Sequence, residues 1–106
     1  MPIDKNFDAM LTLALPVALE EDLLDFLLLH PQWAAGFTVV DAQGMGNGAN
    51  LLSAMEQVQG RSRGRLVFVA GVDAQLRELL AALASALPSR DITYWISPLS
   101  AFGRLA

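Results

Sequence analysis

Glycine and arginine are the residues of this chain best placed to do chemistry, and they crowd into one stretch. Gly44, Gly46 and Gly48 alternate, and Arg61, Arg63 and Arg65 alternate about a dozen residues later. A glycine has no side chain, so alternate glycines let backbone N–H groups approach a phosphate or carboxylate as a nest. Guanidinium groups hold the same anions through paired hydrogen bonds. Extended backbone would set the three arginines on one face, where mutual repulsion favours a bound anion or a partner's acidic surface. The plainer alternatives are a flexible turn for the glycines and a solvated strand end with salt bridges for the arginines. Arg90 and Arg104 add two more guanidiniums further along. Gly44, Gly46, Gly48, Arg90 and Arg104 are the candidates for binding a small effector. Met55, Arg61 and Arg63 are the candidates for contact with a partner protein.

Other chemistries find less to work with. The chain has no cysteine, which removes disulfides, thiolate nucleophiles and cysteine-ligated zinc. His30 is the only histidine and stands just before Pro31, where an imidazole commonly caps a helix end. No metal site is expected from it unless copies converge on an axis. Met45 and Met55 carry thioethers that suit Cu(I), but methionines more often fill irregular contacts. No serine, histidine and aspartate fall into a triad arrangement, so an enzyme is not expected. Val58-Gln59-Gly60-Arg61 echoes a phosphate cradle of acylphosphatases, but there the string follows the first strand. Here it precedes the third.

These residues need a frame, and hydrophobic patterning supplies one. A strand is expected over Ala9–Leu15. Pro16 should open a helix that carries Glu20, Glu21 and Asp22 in its first turns and ends near His30. Gly36–Gln43 reads as the second strand and Arg65–Ala70 as the third. Between them Gly44–Gly64 is far longer than an ordinary hairpin connection, with Asn50 placed to cap a helical turn inside it. Asp73 is the expected N-cap of a second helix over Ala74–Leu87, striped by Leu76, Leu79, Leu80, Leu83 and Leu87. Pro88–Asp91 is a turn, Ile92–Ile96 the fourth strand, and Pro98 begins a tail.

The order β-α-β-β-α-β is that of an α+β ferredoxin-like sandwich: a four-stranded antiparallel sheet with both helices on one face. The 106 residues fit one domain. At 54% hydrophobic and 17% charged the chain is apolar for its size. Both faces of its strands carry apolar side chains, so the open face of the sheet is expected to meet other subunits. The net charge of −4 disfavours nucleic acid as a partner. No apolar run reaches the length of a membrane span, and no signal peptide is expected, since MPIDKNFDAM lacks a basic region followed by an apolar stretch.

In this order the local strings resemble the P-II signalling proteins. Gly36-Phe37-Thr38-Val39 leading to Gly44-Met45-Gly46 is similar to that family's G-x-T-V strand and G-F-G turn. Val72-Asp73 is similar to the opening of its second helix, and Trp95-Ile96-Ser97-Pro98-Leu99 to its F-V-x-P-V final strand. The resemblance spans about Met10 to Leu105 and is nearest to a branch encoded beside heavy-metal efflux pumps. It implies a cytoplasmic homotrimer that binds a small effector in clefts between subunits. It also implies a regulatory role, with the long loop docking on a partner such as a membrane transporter. The family's T-G-x-x-G-D-G-K phosphate loop has no equivalent: Leu87–Thr93 contains no glycine, and Thr93 replaces the lysine. Gly48 stands where the family has glutamine, and no tyrosine in the loop is available for uridylylation. No cofactor is therefore expected, and an adenine nucleotide would have to bind without that grip. The same fold also houses the divalent-cation-tolerance trimers. A metal-binding trimer of that kind is the alternative, and it requires metal affinity that His30→Ala or Met55→Ala weakens.

Overall fold

A computed structural model describes residues 7–45 and 61–106, with only the backbone of 45, 61 and 62. The elements run β1 (Ala9–Pro16), a 3-10 turn (Val17–Leu19), α1 (Glu20–Leu28), β2 (Thr38–Met45), β3 (Arg61–Gly71), α2 (Asp73–Ala86) and β4 (Thr93–Pro98). The strands form one sheet in the order β2-β3-β1-β4, every neighbouring pair antiparallel. This is the expected α+β sandwich.

Alternation along the strands decides where the core lies. Leu11, Leu13 and Leu15 of β1 and Val67 and Val69 of β3 point to the helices. They are buried against Leu23 and Leu27 of α1 and Leu76, Leu79 and Leu83 of α2. The leucine spacing of three and four residues is what puts each helix's stripe on the sheet. The intervening residues face the other way. Register aligns Thr38, Phe68, Thr12 and Trp95 in one row across the sheet, and Val40, Leu66, Ala14 and Thr93 in the next. Thr12 lies between the two aromatics and is only 3% exposed, whereas Val40 and Trp95 are 39% and 46% exposed. Among the described residues no helix covers this face.

Several boundaries move from their expected places. Pro16 ends β1 rather than opening a helix, and its ψ of 153° is extended. The α-helix waits until Glu20, so Glu20, Glu21 and Asp22 form its first turn, where negative charge meets the dipole. The β2–β3 hairpin is longer than expected at both strands. Gln43 pairs with Arg63, Gly44 with Ser62 and Met45 with Arg61. Gly44, Arg61, Arg63 and Gly64 are therefore strand residues, and the connection shrinks to residues 46–60, outside the described residues. The helical turn expected after Asn50 lies there too.

Asp73 does not cap α2. It is the first helical residue, and its carboxylate accepts a hydrogen bond from Arg77 Nε at 3.0 Å. The cap comes from Asp8, whose Oδ1 accepts the Asp73 N–H at 2.9 Å. Asp8 also donates its N–H to the Gly71 carbonyl at 3.0 Å and accepts the Leu99 N–H at 2.9 Å. One aspartate thus ties together the start of β1, the end of β3, the head of α2 and the end of β4. Asp73, by hydrogen bond and then by charge, holds the exposed Arg77 guanidinium above its usual pKa.

On the outer side, His30 Nδ1 is 2.8 Å from the Phe26 carbonyl, a geometry in which the ring N–H closes the end of α1. Its ring stacks between Phe26 and Trp33. Trp33 Nε1 donates to Glu78 at 3.2 Å and so fastens the α1–β2 connection to α2.

Candidate functional site

Two concave regions lie at the end of the sheet where β1 finishes, one toward each edge. The first sits on the helix side at the foot of the β2–β3 hairpin. It has a volume of about 410 Å³ and is lined by Val17, Asp41, Ala42, Gln43, Arg63 and Arg65. Residues 63, 65, 67 and 69 share one face of β3, so Arg63 and Arg65 continue the line of Val67 and Val69 beyond the helices. The sequence expectation of arginines on one face holds for this pair.

The two arginines differ in their bonding. Arg65 Nε is 3.1 Å from Glu20 Oε1, and Arg65 Nη1 is 3.2 Å from Asp41 Oδ1. Arg65 is thereby a structural tie between the head of α1 and β2. Arg63 is exposed and makes no ion pair among the described residues. Of the pair, Arg63 is the one with charge to offer an incoming anion.

The Glu20 and Asp41 arms should not be equal. Glu20 and Arg65 are each about three-quarters buried at the side chain, while the Asp41 side chain is 91% exposed. Water screens the second pair and not the first. Glu20→Gln should lower stability by about 0.5–1 kcal/mol and Asp41→Asn by about 0–0.3 kcal/mol, read as urea-unfolding midpoints. Equal losses would mean that burial does not set the strength of this network.

The second region lies toward the β4 edge. It is a cavity of about 480 Å³ between α1, α2, the α2–β4 turn and β4. Leu13, Leu23 and Leu83 form its buried floor. Its polar groups are Ser89, Arg90 and Tyr94, and no acidic side chain lines it. The sequence pattern puts Leu13 in the first strand and Leu83 in the stripe of the second helix, and makes Arg90 an effector candidate. It gave no sign that they meet. Register puts Tyr94 beside Leu13 on the helix face and Trp95 beside Thr12 on the open face.

The expected effector residues are spread out within one chain. Gly44 lies in β2 at one edge of the sheet, paired with Ser62, and Arg90 lies in the turn before β4 at the other edge. Arg104 is exposed, and its segment follows β4 at the far end of the sheet, where Phe102 packs on Phe7 with ring centroids 5.0 Å apart. Six residues of strand separate those two ends of β4, about 20 Å. Gly46, Gly48 and Met55 lie outside the described residues, as does the side chain of Arg61. Among the described residues no group of three or more histidines, aspartates and glutamates is arranged to hold a metal ion. No helix among them is long and apolar enough to cross a membrane.

Solved structures share this architecture. A DUF3240 family protein from Shewanella baltica OS155 superposes with a TM-score of 0.72 at 22% identity, covering 100% of both chains. CPII from Thiomonas intermedia K12, a nitrogen regulatory PII-like protein bound to ADP, AMP and bicarbonate, gives 0.66 at 18% identity over 92% of this chain and 93% of its own. CutA from Synechococcus elongatus PCC7942 gives 0.63 at 16% identity over 92% of this chain and 80% of its own. These likenesses establish a PII-like fold. No curated protein sequence is significantly similar to the chain. The model of the family described as "Protein of unknown function (DUF3240)" matches residues 6–106, and the chain belongs to that family.

Proposed function

We propose that this protein is a non-enzymatic, P-II-like regulator that works as a homotrimer. Its apolar open sheet face carries the reading. In a lone antiparallel sheet that face would be polar. Here it presents Met10, Val40, Leu66, Phe68 and Trp95, with no helix or strand among the described residues over them. Packing three such faces together removes them from water.

Assembly also supplies what one chain lacks. Within a protomer, Gly44 and Arg90 occupy opposite edges of the sheet. In a ring of protomers, the β2 edge of one chain can meet the β4 edge of the next. A small anionic effector would bind in that cleft, with Arg63 and Arg90 as cationic contacts and Arg104 approaching from a neighbour's tail. The ADP, AMP and bicarbonate bound to CPII make these the first effectors to test. The segment between β2 and β3, with Met55, and Arg61 where β3 begins would dock on a partner, and a heavy-metal efflux transporter is the partner proposed. An effector that prefers one arrangement of this segment would shift its population.

The test is a thermal-shift series with ADP, AMP and bicarbonate, run beside light scattering. A ligand that binds only the folded state raises the melting temperature, by about 2.7 kcal/mol of stabilisation at a hundred times its Kd. A trimer whose melting rises with one of them, and no longer does so in Arg90→Ala, supports the reading. A stable monomer at micromolar concentration sinks it.

A further inference from the structure

The cavity beside Arg90 goes beyond this reading: its floor is the chain's own core, between α1, α2 and β4. We propose that it is a binding site for a small amphipathic carboxylate: an apolar acyl or aryl body with one acid group.

Size and lining give the apolar part. About 480 Å³ falls within the range of sites that enclose small molecules. Leu13 and Leu23 are 1% and 0% exposed and Leu83 is 6% exposed, so the floor is core. Leu80, Leu87 and Ile92 form half-buried walls. An apolar body entering here continues the core outward and removes these walls from water.

The rim gives the acid. Ser89, Arg90 and Tyr94 are all exposed and line the cavity together. Arg90 makes no ion pair among the described residues. Ser89 Oγ accepts the Asp91 N–H at 3.1 Å, which leaves its own proton to donate. Asp91 follows in the chain but does not line the cavity. The rim therefore offers a guanidinium and hydroxyls with no competing carboxylate, the complement of an organic acid. One opposing field must be met. Helix α2 ends at Ala86 with its C-terminus toward this turn, and the dipole there repels an anion. The acid group is thus held on the Arg90 side of the mouth and the apolar body beneath the last turn of α2. A cationic amphiphile would meet Arg90 and be rejected.

Decanoate, below its micelle-forming concentration, is the probe, with decanol and decylamine as neutral and cationic controls of equal length. Titration calorimetry should show one decanoate per chain, weaker decanol and no decylamine. Arg90→Ala should weaken decanoate about tenfold or more and leave decanol unchanged. Ala84→Trp, at an exposed position on the wall, should fill the cavity and abolish both. Arg90→Ala alters an exposed side chain and carries the test alone should the tryptophan variant fail to fold. The proposal is overturned by no saturable decanoate binding, by decylamine binding as well as decanoate, or by unchanged decanoate affinity in either folded variant.

Discussion

Phe68→Glu should turn the proposed trimer into single chains, read by light scattering or sedimentation at micromolar concentration. Phe68 sits on β3, one of the two central strands, and its register partner Thr12 separates it from Trp95. In one chain its side chain is only partly buried. Its loss there costs about 1 kcal/mol, less than the 1.5–3 kcal/mol of a fully buried phenylalanine. At an interface the consequence is larger. The substitution would place one carboxylate per protomer in a shared apolar contact, with no cation on that face among the described residues to receive it. Burying an unpaired charge costs far more than the lost contact, and the symmetric copies repel. A control separates the face from general damage. Leu29 at the end of α1 is 75% exposed on the helix side, so Leu29→Glu should leave the assembly intact. If Phe68→Glu remains assembled as Leu29→Glu does, the open face is not the interface.

The features that sequence exposed and those it hid differ in the range of the interactions behind them. Leu23 with Leu27, and Leu76 with Leu79 and Leu83, repeat at helical spacing, a local signal that survives without any partner. The double-sided apolar character of β1 and β3 is local too, and it announced the uncovered face. The hairpin's extra length left no such mark. Gly44-Met45 and Arg61-Ser62-Arg63-Gly64 lack the β-branched and aromatic residues that signal strand, and pairing within the hairpin makes them extended. The α2 cap departs from its local signal for a related reason. Asp73 has the right type at the right place, but Asp8, 65 residues away in sequence, reaches the N–H first. The cavity at Arg90 needs α1, α2 and β4 together, and no short window holds all three.

Gly64→Ala should be more damaging than alanine at Gly36, Gly71 or Gly103, for a reason set by the strand opposite. In the β1–β3 ladder Gly64 pairs with Pro16. Proline has no N–H to give a ladder, so this end of the pair is held by close backbone approach. A β-carbon built on Gly64 would lie 2.5 Å from the Leu15 carbonyl oxygen and 3.4 Å from its carbon. Both are backbone atoms of a central strand, and neither can rotate aside. Relief requires β3 to lift from β1 between Arg63 and Arg65, which also pulls Arg65 from Glu20. The expected cost is about 2–3 kcal/mol, in the range of overpacked cores. Gly71 gives the comparison, because its β-carbon would meet Leu76 Cδ2 at 3.1 Å, a side chain able to yield by a few tenths of an ångström. Gly71→Ala should cost about 1 kcal/mol. Gly36 has nothing within 4 Å, so Gly36→Ala should be neutral or stabilise by about 0.4–1 kcal/mol through the unfolded chain. Urea-unfolding midpoints of the three variants should fall in the order Gly36→Ala, Gly71→Ala, Gly64→Ala, from highest to lowest. A Gly64→Ala variant as stable as Gly36→Ala would mean that the close approach of β3 to β1 at Pro16 is not what fixes the foot of the hairpin, and with it the placement of Arg63.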